Sequence, residues 1–509
     1  MKKILLTIAI VGSGFNVFSQ VNFIKDSLDI YINREIKRWN LPGLAIAIVK
    51  DGKVIVAKGY GYADVAKKTP VTENTVFQIA SNSKAFTGTA LALLENYGKL
   101  DLDDKVKKYL PYFKMKDEYR TENVTINDVL SHRIGYGTFQ SDFLNWACNR
   151  SRKELIQNMA NVTPEFGFRE HYGYCNMGFV TAGEIIPAVC DTTWDDFIKY
   201  HFFEPLGMKN TGSKYAGFIS NPNSSKAYAV VNEKLVEITP ANVDNLGPAG
   251  SITSSVNDLS KWVMMQLDNG KYEGKQIIPK MVIQKTRQSL TITGEGRSGM
   301  NHFNTYGLGW FLKDENGKKV VSHDGGANGF LSKTVLIPQE KFGFVILTNS
   351  DNQYLFEALG ELLIKNATGQ TYYDYSPLYH MGYTRQHNQE TDSVKKWKET
   401  AVKYKTAKDA YKKLEGVYEH PVYGKIAIKA NEKNAEIFFQ YHPQYKAVLN
   451  RMTDERLVCE YNEQIVGYEA LRFFEKEGKQ ILDLKINDFV DMDHYLFVKT
   501  SSAFTPFTK

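Results

Sequence analysis

Cysteine is scarce: the chain carries four in 509 residues. A scaffold stapled by disulfides needs a far denser set. Cys148 and Cys190 are a candidate pair, while Cys175 and Cys459 show no sign of a partner. Long apolar runs are lacking as well. After the first twenty residues no stretch reaches about 18 uninterrupted apolar positions, so no membrane-spanning helix is expected. Charge of one sign is not in excess. The 63 Lys and Arg residues face 57 Asp and Glu, a net charge of +6, which gives no case for nucleic acid or an anionic membrane as partner. No repeat of about 20 to 50 residues and no low-complexity tract is present. Neither His-x-His-x-Asp nor His-Glu-x-x-His occurs, so no zinc site is expected. A Gly-x-Ser-x-Gly elbow, a P-loop and a dinucleotide fingerprint are missing too. No metal and no cofactor is expected. The partner left is a small-molecule or peptide substrate, and the oligomeric state leaves no trace.

What is present is a globular composition, 43% hydrophobic and 13% aromatic, enough to bury a sizeable core. Residues 1–19 read as a secretory signal peptide. Lys2 and Lys3 start it, Ile4 to Val11 is a short apolar run, and Val17 and Ser19 are small enough for the cleavage positions. The expected location is secreted or periplasmic. Removing the leader takes away two lysines and no acid and leaves +4. No cysteine follows the cut, so a lipid anchor there is not expected.

Leu44 to Val49 and Lys53 to Ala57 are β-prone runs joined by Asp51-Gly52, a hairpin signal. From Ser81 the pattern turns helical: Phe86, Ala90, Leu93, Leu94 and Tyr97 keep a period near 3.6, and Gly98 ends it. Residues from about 100 to 290 read as helix and loop, including Asn127–Ser131, Trp194–Tyr200 and Asn257–Leu267 with Asn257 as cap. Strands return at Tyr306–Leu312, Lys319–Ser322, Lys333–Ile337 and Phe342–Thr348, and a helix spans Tyr354–Ile364. The pattern predicts one sheet built from both ends of an α/β domain over residues 20–372, with a helical subdomain between. Residues 373–412 are polar and lysine-rich with both signs of charge, a solvated linker helix. Residues 413–509 alternate β-formers around a turn at Asn431–Asn434 and predict a small all-β domain, a barrel or a sandwich.

Three clusters carry chemistry. Ser81 and Lys84 stand three apart at a helix start, so their side chains share a face. Ser81 there is either an N-cap or a nucleophile with Lys84 as its base. Tyr174-Cys175-Asn176 puts a phenol and a carboxamide before a second apolar helix. His323-Asp324-Gly325-Gly326 follows a β run, and it is either a glycine-rich turn or a strand edge that a substrate backbone approaches. Strand neighbours face opposite ways, which favours His323 over Asp324 as the residue on the site face.

In this order the three clusters resemble the serine β-lactamase and D-alanyl-D-alanine carboxypeptidase family, penicillin-binding-protein-like, nearest its class C and esterase-like branch. The stretches "LPGLAIAIVKDGKVIVAKGYGYAD", "FQIASNSKAFTGTALALLENYGKLDLDDKVKKYLP", "TINDVLSHRIG" and "PAGSITSSVNDLSKWV" are similar to that family's blocks. The resemblance implies a β-lactamase-like fold with an antiparallel sheet flanked by helices. It implies Ser81 as the acylated nucleophile and Lys84 with Tyr174 as its proton acceptors. Asn176, His323 and Gly325 would bind substrate, and the N–H groups of Ser81 and Gly326 would hold the oxyanion. His323-Asp324-Gly325 fall where the family carries Lys-Thr-Gly. That departure implies small esters or D-residue peptides rather than antibiotics, with a β-lactamase, a D,D-carboxypeptidase or a protein acylated without turnover as alternatives. "LEGVYEHPVYGKIAIK" and "FQYHPQYKAV" resemble a lipocalin-like domain joined to some of these peptidases.

Overall fold

The computed structural model describes residues 23–504 apart from 143–144, 232–233, 299–300, 352, 372, 405–409 and 486–493. The expected leader, residues 1–19, therefore lies outside the described residues.

The central sheet is antiparallel and draws on both ends of the α/β domain. Strands β1 (Gly43–Lys50), β2 (Lys53–Asp64) and β3 (Thr69–Pro70) come from the start. Strands β4 (Thr291–Ser298), β5 (Asn301–Tyr306), β6 (Phe311–Glu315), β7 (Lys318–Ala327), β8 (Phe330–Ile337) and β9 (Phe342–Thr348) come from the end. The order is β4-β5-β6-β7-β8-β9-β1-β2-β3, so β1 pairs with β9 at the join. Asp51 and Gly52 take φ of 52° and 73°, the left-handed pair that a tight hairpin needs.

The continuous apolar run in β1 has a plain cause. Leu44, Ile46 and Ile48 pack toward helices α1 (Leu28–Arg38) and α5 (Leu355–Ala367). Ala45, Ala47 and Val49 enter the larger core on the other face. That second face carries α2 (Ser83–Asn96), α3 (Asn176–Val189) and α4 (Val256–Leu267). A central strand buried on both faces cannot alternate with polar residues.

Several expectations are corrected. Tyr306–Leu312 is not one strand, because the Gly307–Trp310 turn, with Gly309 at φ 80°, separates β5 from β6. Ser255, not Asn257, caps α4, its oxygen accepting from Asp258 N–H. All four cysteines are free, so Cys148 and Cys190 are not joined.

A helix α6 (Ser376–Lys403) follows, its start tied down where Ser376 Oγ accepts from Trp39 Nε1 at 2.8 Å. Strands β10 (Gly416–His420) to β17 (His494–Thr500) then close an eight-stranded barrel in sequence order, β10 pairing back with β17. The Asn431–Asn434 turn joins two of its strands through an Asn431 N–H to Asn434 O bond of 2.9 Å. The expected α/β domain followed by a β-barrel is the fold observed.

Candidate active site

Ser81 sits in a 3₁₀ turn, Ala80–Asn82, that leads directly into α2. Ala80 holds φ 46°, a left-handed conformation unusual for a residue with a side chain, and it is fully buried. The surrounding structure fixes this turn. Ile79 N–H donates to Ile252 O at 3.0 Å, Asn82 Nδ2 donates to Ser332 Oγ at 2.8 Å, and Ser332 Oγ donates to Ile79 O at 2.7 Å. Asn82, the N-cap of α2, makes no capping bond. The half-buried Ser81 presents its oxygen to Lys84 instead, 3.0 Å from Nζ.

Lys84 is wholly buried. Besides Ser81, its Nζ donates to Asn176 Oδ1 at 2.6 Å and to Ala249 O at 2.9 Å. Burial disfavours the charged ammonium and lowers its pKa to about 7, although the Asp142 carboxylate pulls the other way. The amine is therefore neutral in an appreciable fraction of molecules at neutral pH. With two N–H bonds kept by Asn176 and Ala249, the lone pair of neutral Lys84 points at Ser81 Oγ.

Tyr174 comes from the loop before α3. Phe139 N–H donates to Tyr174 O at 2.8 Å, and Tyr174 N–H donates to Thr138 Oγ1 at 3.2 Å. Its ring stacks on His132 at 4.4 Å, and Lys84 Nζ lies 4.7 Å from its centroid. The phenol is within hydrogen-bonding reach of Ser81, yet burial holds its pKa well above the ordinary value. It is a protonated phenol at neutral pH, suited to relaying a proton and not to acting as a standing base. Asn176, at the first position of α3, turns Oδ1 to Lys84 and donates Nδ2 to Asp142 Oδ2 at 2.7 Å.

His323 to Gly326 lie inside β7, and the turn comes later, at Asn328-Gly329. Pairing of β7 with β6 stops at Ser322 with Phe311, so the strand edge is free of β6 from His323 onward. Gly325 has a steric reason. A Cβ there would lie 2.2 Å from Ile79 O and 3.0 Å from Ser81 N, so the strand and the Ser81 turn touch only because no side chain intervenes. Gly326 follows on the same strand, half-exposed.

His323 faces the site and packs 6.2 Å from the Tyr174 ring. Its Nδ1 donates to Asp324 O at 2.6 Å, since a carbonyl only accepts; Nε2 then accepts from the Tyr306 hydroxyl at 2.9 Å. Burial lowers its pKa to about 3, so it is neutral. Both ring nitrogens are used inside the protein. Asp324 points to the opposite face and pairs with Lys333 at 2.7 Å.

Sequence reasoning missed Asp142, Tyr306 and Ala249. His132 was legible only as part of "TINDVLSHRIG", and it fixes the Tyr174 region by accepting the Cys175 N–H at Nδ1, 3.0 Å away. Asp142 belongs to an irregular loop with no motif around it. Among the described residues, no three His, Cys, Asp or Glu side chains converge as a metal would require.

A half-buried serine hydroxyl, a wholly buried lysine and a tyrosine thus lie together between a helix start and a sheet edge. The β-lactamase family profile matches residues 31–368, and the chain belongs to that family. Protein flp of Staphylococcus aureus (strain MRSA252) is 32% identical over 341 residues, 65% of this chain and 64% of that protein. The unguisins hydrolase ungD' of Aspergillus campestris is 27% identical over 348 residues, 65% of this chain and 62% of that one. This chain thus spans just under two thirds of the length of these curated relatives. Among solved structures, the octameric penicillin-binding protein homologue from Pyrococcus abyssi shares the fold with a TM-score of 0.58 at 23% identity, over 92% of this chain and 99% of that one.

Proposed function

We propose that this protein is a serine hydrolase that cleaves ester or amide bonds through an acyl-enzyme on Ser81. One observation carries the reading: a wholly buried lysine that loses its proton near pH 7 lies 3.0 Å from a half-buried serine hydroxyl. Ser81 Oγ attacks the substrate carbonyl carbon and its proton passes to neutral Lys84. The N–H groups of Ser81 and Gly326 hold the oxyanion. The C–N or C–O bond breaks as the amine or alcohol takes a proton from the Tyr174 phenol, which recovers one from Lys84. Water repeats the steps in reverse order on the acyl-enzyme and frees Ser81.

The strand that would face a substrate offers no cation. His323 is neutral with its nitrogens engaged, and Lys333 lies behind the sheet with Asp324. This supports small uncharged esters or D-residue peptides over penicillins, cephalosporins and free-carboxylate D-alanyl peptides, and a place in the class C and esterase-like branch. The apolar run behind Lys2 and Lys3 supports export, and the eight-stranded closed barrel supports a lipocalin-like C-terminal domain.

Intact-mass analysis with an activated short acyl ester tests the reading. A transient adduct one acyl group heavier, mapped to Ser81 and absent from Ser81→Ala, is expected, with turnover lowered by orders of magnitude in that variant. Loss of one half-buried hydroxyl leaves stability within about 0.5–2 kcal/mol. Labelling at another serine overturns the assignment. An adduct that never decays makes the protein an acylated binder.

A further inference from the structure

The strand that carries the glycines of the site loses a neighbour just before them. β7 pairs with β6 only as far as Ser322, opposite Phe311, while its pairing with β8 runs on to Ala327. Residues 323–327 are thus held in the sheet from one side. Two of them, Gly325 and Gly326, have no side chain to anchor them, and a glycine backbone is the freest to move. Such a segment keeps a fixed place only if the residues ahead of its glycines are tied down.

Both residues are tied, on opposite faces. On the site face, His323 Nε2 accepts from the Tyr306 hydroxyl at 2.9 Å. On the back face, Asp324 is held by a group built into the fold. Asp324 and Lys333 stand directly opposite each other across β7 and β8, and Lys333 Nζ donates to Asp324 Oδ1 at 2.7 Å. The same ammonium lies 3.2 Å from Glu357 Oε2 on α5. Lys333 is buried, and its stem passes α5 at Gly360, where a Cβ would lie 2.6 Å from Lys333 Cδ. Burial disfavours the charge on such an amine, but the Asp324 and Glu357 carboxylates outweigh it and hold its pKa above the ordinary value. Lys333 is therefore a cation that needs its partners, because an unpaired buried charge is costly. It joins β7 to β8 and to α5 one residue before the glycines begin.

We propose that Asp324 and Lys333 are positioning residues for the hydrolysis: their bond, braced by Glu357, fixes the backbone of Gly325 and Gly326 against the Ser81 turn. The proposal rests on Ser81 as nucleophile and on the Gly326 N–H as an oxyanion donor. Neither side chain reaches the reacting atoms. The pair acts through the backbone on where that N–H stands when the oxyanion forms, so its loss should appear in kcat and not in KM.

The test measures turnover of an activated short acyl ester by wild type, Asp324→Ala, Asp324→Asn and Glu361→Ala, with melting temperatures alongside. Asp324 is the residue to change. Its side chain is 42% exposed, and Lys333 keeps Glu357 as partner when it is gone. Asp324→Ala is expected to lower kcat about tenfold or more, with KM within about twofold of wild type. Asp324→Asn keeps a carbonyl oxygen for Lys333 and is expected to restore kcat to within about threefold of wild type. Glu361→Ala cuts a 3.1 Å ion pair between α5 and Lys313 of β6, which joins the same helix to the same sheet away from the glycines. It is expected to keep the wild-type kcat. An unchanged kcat in Asp324→Ala overturns the proposal and leaves the hydrolase reading intact. So does an effect confined to KM, an Asn variant no better than the Ala variant, or an equal loss of kcat in Glu361→Ala. No turnover and no adduct on Ser81 in wild type removes the hydrolase reading, and this proposal with it.

Discussion

At the scale of single residues, Lys84 decides the behaviour with pH. Burial depresses its pKa to about 7, so the base form is present above that value and lost below it. The logarithm of kcat/KM should climb as pH rises through about 7 and level off above. Asp142 stabilises the charged form of Lys84. Asp142→Asn should therefore move the inflection to lower pH, because the neutral amine becomes easier to reach. A pH-rate profile of the variant that keeps the wild-type inflection would separate Asp142 from the base. The same shift acts on stability with a definite sign. Between pH 7 and the ordinary lysine range the unfolded chain holds a proton that the folded chain releases, so this site makes the protein more stable as pH rises through that window. Denaturation of wild type against Lys84→Met should show that relative gain.

At the scale of elements, the contact between β7 and the turn before α2 sets where Ser81 lies against the strand. Gly325→Ala would drive a Cβ to 2.2 Å from the backbone of Ile79, and neither backbone can step aside without moving Ser81. The variant should keep its far-ultraviolet dichroism, lose about 1–3 kcal/mol of stability and lose turnover by orders of magnitude. Gly317, at a turn with open space around it, is the control, and its Ala variant should retain activity. Equal activity in the two variants would show that strand and turn need not touch. The same contact explains why β7 was legible only in part. The β-formers to Ser322 announced a strand, but the glycines after it read equally as a turn, and only pairing with β8 keeps them extended to Ala327.

At the scale of the whole molecule, the two domains share a boundary and no disulfide crosses it. All four thiols are free, with Cys175 and Cys459 buried. The melting temperature should not change with reductant, and denatured protein should titrate four thiols. A reductant-dependent melt, or fewer thiols in denatured protein, would restore a bridge. The join between domains had no sequence signal, since "FQYHPQYKAV" carried only a resemblance to a lipocalin-like domain and nothing about what it touches.

The sequence by itself determined the parts whose cause is local: the Asp51-Gly52 hairpin, the helix that opens after Ser81 and ends at Gly98, the shift from helix to β texture after Leu414, and the three-residue spacing of Ser81 and Lys84. Periodicity, turn chemistry and short motifs act over a few residues, so one dimension is enough to read them. Tertiary structure alone decided the state of those groups. The burial that brings Lys84 near neutrality is the work of Asn176, Ala249 and the α3 face, up to 165 positions away in the chain. The bonds that occupy both nitrogens of His323 come from Tyr306 and a strand carbonyl. Asp142 reaches Asn176 from a loop with no pattern of its own. A pKa and a steric contact depend on what lies within a few ångströms in space, and the chain fixes that only when it has folded.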